Sequence, residues 1–278
     1  MFAPACPESK MALRTAYGPN FRAAISQPRV DEAAHKFRLD CRSGAHSGQT
    51  SGFAPGFVQA NVVMLEKPYA FDFLQFCLRN PKFCPLLSVS NPGQTDLGIV
   101  AADSDIRTDI PQYRVYRDGE SQGDVSDIQD IWKDDMVTFL LGCSFSWEDI
   151  LADAGLCPRQ IEEKRNVPMF RTNIESNEAG PFQSTLVVSM RPYRPDQVEE
   201  VARITSQYPG AHGGPLHWGA PEEIGIDSSE LQNPPWGDAV SIRDGEIPVF
   251  WACGVSSQVR CSPSLRLYHS SLLFVGPW

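Results

Sequence analysis

The segment FVQANVVML (57–65) is an apolar run that predicts a β-strand, and the residues after it predict a helix. In YAFDFLQFCLRN (69–80), Phe73, Phe76 and Cys77 fall on one helical face. Further strands are predicted near 113–120, in 184–190 and 248–255, and near 272–275. Because strands and helices are interspersed, the sequence predicts a layered α/β or mixed α+β fold.

The middle of the chain predicts two more helices separated by a turn. KDDMVTFLLG (133–142) predicts the first, and a break at 143–145 leads to the second. The second begins near Ser146, where Ser146 and Asp149 have the spacing of a capping box. Residues 194–210 predict an amphipathic helix. Its inward-facing residues are expected to be Val198, Val201, Ala202 and Thr205.

The composition indicates a folded protein whose partner is neither nucleic acid nor membrane. The chain has 278 residues, a formal charge of −10 and 42% hydrophobic residues, enough for a full-sized core. Nucleic acids and anionic membranes bind basic surfaces, which argues against both. No apolar run reaches the ~18 residues that span a bilayer. An acidic small molecule is possible, and it would need a local cluster of arginines.

The first 29 residues carry four basic side chains against the single acid Glu8. This bias is compatible with a mitochondrial transit segment, although prolines interrupt any amphipathic helix there. A loose N-terminal extension explains the same residues as well, so both interpretations stay open.

The eight cysteines are irregularly spaced, without the CxxC or Cys/His spacing of a zinc site. We expect most of them to be reduced thiols in an intracellular compartment, and we expect no bound metal. The glycine-rich segment 43–56 lacks the order of a phosphate-binding loop and of a dinucleotide fingerprint, so no nucleotide cofactor is expected. The chain shows no internal repeat.

Two groups of polar residues suggest a ligand site. Gln59 and Asn61 lie on one face of the first strand, beside the glycine-rich segment. Cys143, Ser144 and Ser146 lie at the predicted junction of two helices, where free N–H groups would suit a carboxylate. Plainer interpretations stay open: a satisfied polar pair for the first two, a helix cap for Ser146 and a small core residue for Cys143.

Arginines form a third group. Arg165, Arg171 and Arg191 each lie beside apolar sequence, and Arg is well suited to hold a carboxylate. The segment RNVPMFRTNI (165–174) predicts a loop that packs through its apolar residues and turns its donors, including Asn173, toward a pocket. For any single Arg, an ion pair with one of the 34 acidic residues is the favoured explanation, whereas the three arginines together favour a ligand site.

Two histidines, His212 and His217, lie in AHGGPLHWG (211–219). Their spacing is not that of a helical zinc-binding pair, so proton transfer is favoured over metal binding. A structural role for each is equally open.

Several of these stretches, in collinear order, resemble the D-glutamate cyclase family. The matching runs cover residues 40–256 and are GFAPGFVQANVVML, AFDFLQFCLRNPKFCPLL, DIRTDIPQYRVYRDGE, DDMVTFLLGCSFSWEDIL, IEEKRNVPMFRTNI, VVSMRP, ITSQYPGAHGGPLHWG and EIPVFWACGV. The resemblance implies a three-layer αβα unit with a smaller two-layer α/β insertion. It also implies dehydration of D-glutamate to 5-oxo-D-proline without a cofactor, and a mitochondrial location as in vertebrate members, with the cytoplasm as the alternative. We divide the chain into an N-terminal extension (1–39) and a catalytic domain (40–278).

This chemistry suggests roles for the candidate residues. Arg171 and Arg191 would hold carboxylates, with Arg165 nearby. Gln59, Asn61 and Asn173 would orient the substrate. His212 or His217 would transfer protons, and the segment Cys143–Ser144–Phe145–Ser146 would donate to the developing oxyanion.

The C-terminal stretch LYHSSLLFVGPW (267–278) departs from the family pattern. His269, Phe274 and Val275 can be aligned, but a Pro-Gly turn and a terminal Thr-Asp are missing. Three alternatives to the cyclase therefore stay open: a dehydratase for a related acidic substrate, a non-catalytic protein that binds an acidic metabolite, and a structural subunit.

Overall fold

The structure is a computed structural model that describes residues 32–117, 120–258 and 267–277. Its helices are α1 (Glu32–Arg42), α2 (Lys67–Arg79), α3 (Glu148–Asp153), α4 (Arg159–Glu162) and α5 (Val198–Thr205). Its strands are β1 (Phe57–Glu66), β2 (Leu86–Val89), β3 (Tyr113–Arg117), β4 (Glu120–Val125), β5 (Met136–Gly142), β6 (Met169–Glu175), β7 (Thr185–Tyr193), β8 (His217–Trp218), β9 (Ile247–Ala252) and β10 (Leu267–Pro277). The predicted α+β class is confirmed.

The strands form two antiparallel sheets. Sheet 1 has the order β2-β5-β1-β10-β3-β4, so β1 pairs with β5 on one side and with β10 on the other. Sheet 2 has the order β6-β7-β9-β8. The central pair of strands is therefore β1 with β10 in sheet 1 and β7 with β9 in sheet 2.

One apolar cluster joins both sheets to α2. It contains Val63 and Phe139 from sheet 1, Phe170 and Phe250 from sheet 2, and Phe73 from α2. The opposite face of sheet 1 packs on the chain between β2 and β5, and the opposite face of sheet 2 packs on α3 and α5. Gln59 and Asn61 share the face of β1 that carries Val63, so the polar end of this face points into the space between the sheets.

Most predicted elements are confirmed. The strand at 57–65 is β1, and the helix at 69–80 is α2 with Phe73, Phe76 and Cys77 buried. Segment 43–56 contains no helix or strand. The remaining confirmed strands are β3 and β4 near 113–120, β7 in 184–190, β9 in 248–255, and β10, which contains 272–275.

The helix predicted at 133–142 is wrong, because residues 136–142 form the strand β5. Every residue of β5 is buried, since the strand has sheet neighbours on both sides and packing on both faces. A strand buried on both faces shows no alternation of polar and apolar residues, so its sequence resembles a buried helix.

Two smaller predictions are also corrected. Ser146 does not cap a helix: α3 begins at Glu148 and has no side-chain cap. Residues 144–147 form a 3₁₀ turn instead. In α5, Ile204 rather than Ala202 completes the buried face with Val198, Val201 and Thr205.

The possible targeting segment in the first 29 residues lies outside the described residues, as do Cys6 and Cys261. The other six cysteines are separate thiols. The helix α1 crosses the predicted boundary after residue 39 and contributes Ala34, Phe37 and Cys41 to an apolar cluster. None of the described helices combines the length and the apolar content needed to cross a membrane.

The end of β5 lies against the backbone of the loop at 209–212. A Cβ atom added at Gly142 would overlap the carbonyl of Gly210. The neighbouring Trp147 Nε1 donates to Ala211 O at 2.9 Å, which fixes the same loop from a second side.

We expect Gly142→Ala to destabilise the fold by about 1–3 kcal/mol, because backbone atoms must move to admit the methyl group. The free energy of unfolding in urea measures the loss. Gly48→Ala is the matched control, since its Cβ would meet only His46 at 3.8 Å. Equal stability of both variants would contradict the close approach.

Candidate active site

A four-residue Cys–x–x–Ser turn follows β5 and binds the neighbouring strand β1. Cys143 N donates to Gln59 O at 2.9 Å, and Ser146 N donates to Cys143 O at 3.1 Å. Ser146 Oγ accepts from Gln59 N at 2.8 Å and donates to Gln59 O at 3.2 Å. We call residues 143–146 turn 1. The serine predicted as a helix cap or oxyanion donor thus ties two strands together.

A second turn, residues 253–256 or turn 2, follows β9 and repeats these bonds on β7. Cys253 N donates to Val187 O at 3.0 Å, and Ser256 N donates to Cys253 O at 3.1 Å. Ser256 Oγ accepts from Val187 N at 2.8 Å and donates to Val187 O at 3.3 Å. One hydrogen-bonded turn therefore occurs twice in the described part of the structure, once in each sheet.

Each turn meets a polar side chain from the opposite sheet. In turn 1, Ser144 Oγ accepts from Nη2 of Arg191, a residue of β7, at 3.1 Å. In turn 2, the Asn61 amide of β1 lies against Gly254, where an added Cβ would overlap Nδ2. We call the region bounded by Asn61, Ser144, Arg191 and Gly254 the junction.

Arg191 forms an ion pair with Glu148 inside the protein. Their side chains are 0% and 1% exposed, and Arg191 Nη2 lies 2.5 Å from Glu148 Oε1. Arg191 Nη1 donates to Ser189 Oγ at 3.1 Å. The guanidinium carbon lies 4.7 Å from the ring centre of Trp147 and 5.5 Å from that of Trp251. The ion-pair alternative is therefore the one the structure shows for this arginine, which was also expected to hold a carboxylate of the substrate.

The Glu148 carboxylate also accepts from two uncharged side chains. Gln160 Nε2 donates to Oε1 at 2.5 Å, and Ser51 Oγ donates to Oε2 at 2.5 Å. Burial raises the pKa of Glu148 above its ordinary value, although Arg191 and Ser51 act in the opposite direction. A carboxyl group with a raised pKa is suited to exchange protons nearer to neutral pH.

A cavity of about 190 Å³ opens beside this carboxylate. Its walls come from 52–57 in the glycine-rich segment, from 145–152, and from Ile161. Gln59, Ser146, Glu148 and Asp149 supply its polar side chains. Gln59 is held in place, because its Oε1 accepts from Thr50 Oγ1 at 2.8 Å. Of the residues predicted for a ligand site, Gln59 and Ser146 line this cavity, whereas Arg165, Arg171, Asn173 and Arg191 do not.

His212 belongs to the loop that packs on the end of β5. Its backbone is left-handed, with φ of 73°, and its side chain is 2% exposed. Burial lowers the pKa of His212 to about 4, and its Nδ1 lies 2.8 Å from Lys82 O. The ring is thus neutral near pH 7 with Nδ1 as the donor, which leaves Nε2 as an acceptor. Proton transfer was one role expected of His212, and this uncharged ring is not suited to donate a proton at neutral pH.

Four other predicted site residues lie away from the cavity and the junction. Arg171 and Asn173 are exposed on β6, which is a strand and not the predicted pocket loop. Arg171 lies 5.6 Å from the ring centre of Trp236 and donates to Thr185 Oγ1 at 3.1 Å. Arg165 donates to Ala239 O at 2.5 Å on the surface. His217 Nε2 lies 2.7 Å from Ala220 O at the edge of sheet 2.

Cys143 is buried, and burial raises the pKa of its thiol well above the ordinary value. A thiol in this state is not an activated nucleophile. The plainer interpretation as a small core residue therefore fits better, with its backbone anchoring turn 1. Among the described residues, no group of three or more His, Cys, Asp or Glu side chains could hold a metal ion.

The sequence interpretation missed Glu148, Ser51 and Gln160. Glu148 directly follows the predicted turn in SFSWED, so its position was available, but an acidic residue in an acidic chain gives no signal of burial. Ser51 and Gln160 become recognisable only because the fold brings both to one carboxylate.

Removal of one partner of the buried ion pair should be costly. We expect Arg191→Met to lower the free energy of unfolding by about 3–5 kcal/mol at pH 7.5, because Glu148 is left buried without its cation. The double variant Arg191→Met/Glu148→Gln removes both charges and should recover part of this loss. Urea denaturation of the three proteins checks this, and equal losses in the single and double variants would contradict it.

Stability should also depend on pH through His212. Between its folded pKa of about 4 and the ordinary value of 6.5, the unfolded chain binds a proton more readily. The free energy of unfolding therefore rises with pH across this window, by roughly 3 kcal/mol, and levels off above it. His212→Asn, which tolerates the left-handed backbone, should lose this rise. Denaturation at a series of pH values tests it, and identical pH slopes for both proteins would count against it.

Comparisons with known proteins show which family the chain resembles. Residues 137–270 match the family model described as D-glutamate cyclase. A protein from Bacillus licheniformis that is named as a hydro-lyase is 50% identical over 88% of this chain and 93% of its own length. A second protein with this name, from Bordetella petrii, is 52% identical over 81% of this chain and 84% of its own length. A nitrogen repressor-like protein from Methanococcus jannaschii overlays 87% of this chain and 97% of its own with a TM-score of 0.33 and 9% identity, too low to inform fold or function. The chain belongs to the D-glutamate cyclase family of hydro-lyases.

Proposed function

We propose that this hydro-lyase converts D-glutamate to 5-oxo-D-proline and water, with Glu148 as the group that moves protons. The observation that carries the proposal is a buried carboxylate with a raised pKa bordering a cavity of about 190 Å³ in a member of this family. The cavity is below the roughly 300–1,000 Å³ of sites for drug-sized ligands, which suits a small metabolite.

The reaction needs two proton transfers from nitrogen to oxygen. The ammonium group loses one proton, and its nitrogen then attacks the side-chain carboxyl carbon. In the resulting tetrahedral intermediate, the nitrogen loses a second proton and the C–O bond breaks. Both protons leave with the departing oxygen as water. In this intermediate the nitrogen and the leaving oxygen are bonded to the same carbon, so Glu148 can accept each proton from the nitrogen and deliver it to that oxygen. After both transfers, Glu148 is again in its starting protonation state.

The charges of the cavity favour the amine end of the substrate. Its lining includes Glu148 and Asp149 and no Lys or Arg. An ammonium ion is attracted there, and the loss of its proton to Glu148 removes that charge. Folding the substrate so that amine and carboxyl group approach each other can supply several kcal/mol of the barrier. The remaining carboxylate must be held outside this acidic lining.

Incubation of the full chain with D-glutamate, and separately with L-glutamate, tests the proposal directly. We expect 5-oxoproline from the D isomer only, above the rate without enzyme, when products are separated by chiral chromatography. A folded protein that forms no product from either isomer would refute the proposed reaction and favour a protein that only binds an acidic metabolite.

The pH dependence of kcat/KM should report Glu148. If the carboxylate is the proton acceptor, kcat/KM rises with pH through its pKa. Ser51→Ala removes a hydrogen bond that lowers this pKa, so the rise should move to higher pH. Glu148→Gln should lose activity by about 100-fold or more. Asp153→Asn, an exposed acid on the same helix, is the control and should leave the profile unchanged. An unshifted profile in Ser51→Ala would argue against Glu148.

A further inference from the structure

We propose that the junction between the two turns is a carboxylate-binding subsite in which the Asn61 amide donates to the carboxylate that the cavity does not hold. This inference rests on the proposed function, since it places the second end of the same substrate. It assigns to the Asn61 side-chain amide a hydrogen bond to a carboxylate of the substrate.

Asn61 is a buried polar side chain that has no hydrogen-bond partner among the described residues. It is 8% exposed, and its amide makes no hydrogen bond with any part of the chain that the structure describes. Buried amides are almost always hydrogen-bonded, because an unpaired one loses its bonds to water without replacement. Gln59, two residues earlier on the same strand face, is hydrogen-bonded in this usual way, because its side-chain oxygen accepts from Thr50 Oγ1. The Asn61 amide has no such partner, and it is not among the described side-chain atoms that are both unpaired and fully enclosed, so a ligand can reach it.

The Asn61 amide can occupy its position because residue 254 is a glycine and has no side chain. Asn61 Nδ2 lies where a Cβ of residue 254 would be, so only glycine leaves room for it. The equivalent residue of turn 1 is Ser144, which accepts from Arg191. The two turns thus differ at the residue after the cysteine, and this difference leaves Asn61 without a described partner at turn 2 while Arg191 is paired at turn 1.

The charges around the junction favour an anion. Arg191 is the cation nearest to both turns, and its charge opposes the effect of burial on the pKa of both Cys143 and Cys253. Burial keeps both thiols protonated and uncharged. Of the five N–H groups of this guanidinium, four donate to described side chains, and one on Nη1 is left over. Because the Arg191 side chain is 0% exposed, a carboxylate would accept from the Asn61 amide and be favoured by the charge of Arg191 without touching it.

Glutarate is a suitable probe because it carries two carboxylates, has no amine and cannot form the lactam. We would measure its dissociation constant with the full chain by titration calorimetry, together with KM and kcat for D-glutamate. Asn61→Leu should weaken glutarate binding by about 10- to 100-fold, the usual range for a lost hydrogen bond to a charged group. It should raise KM for D-glutamate by a similar factor.

Gly254→Ala is the second variant, because its methyl group displaces the Asn61 amide while the backbone at 254 can accept alanine. It should weaken glutarate binding as well, and it decides the question alone if Asn61→Leu does not fold. Thr138→Val is the matched control. It removes an unpaired buried hydroxyl from the neighbouring strand β5, on the opposite face of the sheet, and should bind glutarate as the wild type does.

The outcomes separate this inference from the proposed function. Wild-type affinity in folded Asn61→Leu and Gly254→Ala, or no glutarate binding by the wild type, would overturn the subsite even if 5-oxo-D-proline is formed. Glutarate binding that depends on Asn61 and Gly254 in a protein that forms no product would support the subsite and refute the reaction.

Discussion

The buried pair of Glu148 and Arg191 is the interaction on which the rest of the site depends. Taking two charges out of water is costly unless their remaining hydrogen-bonding positions are filled. Here they are filled from separate parts of the chain: Ser51 from the glycine-rich segment, Ser144 from turn 1, and Gln160 from α4. The need to satisfy one carboxylate and one guanidinium therefore fixes how these segments approach each other, and the cavity is the space that remains beside them.

The repeated Cys–x–x–Ser turns explain how two different sheets form one site. Each turn binds the middle of the neighbouring strand through the same set of backbone and serine hydrogen bonds. The turns then differ in the residue after cysteine: Ser144 supplies an oxygen for Arg191, whereas Gly254 supplies space for the Asn61 amide. One backbone unit used twice thus yields a charged side and an uncharged side.

Sequence alone predicts the helix α2 from its period, and the strands β1, β7 and β9 from short apolar runs although burial on both faces removes any alternation. The apolar run of β5 is equally buried and follows charged residues without a turn signal, so its sequence resembles a helix. For the candidate site, residue type singled out Gln59, which lines the cavity, and Asn61, Ser144 and Arg191, which bound the junction. It could not say that Arg191 is paired with Glu148 or that Arg171 is exposed on β6, because ion-pair partners are set by packing over long sequence separations. The repeat was hidden because only the cysteine and the serine are shared by the two turns at equivalent positions.

The central claim is that Glu148 is a buried carboxyl group poised to exchange protons, and its titration tests this most directly. The protein would be labelled with ¹³C at glutamate side-chain carboxyls, and the resonance absent from Glu148→Gln would be followed against pH. The account predicts a midpoint above the ordinary value of 4.5 that moves still higher in Ser51→Ala. A midpoint at or below 4.5 would contradict it, because a carboxylate stabilised that far by Arg191 could not take up the substrate's protons.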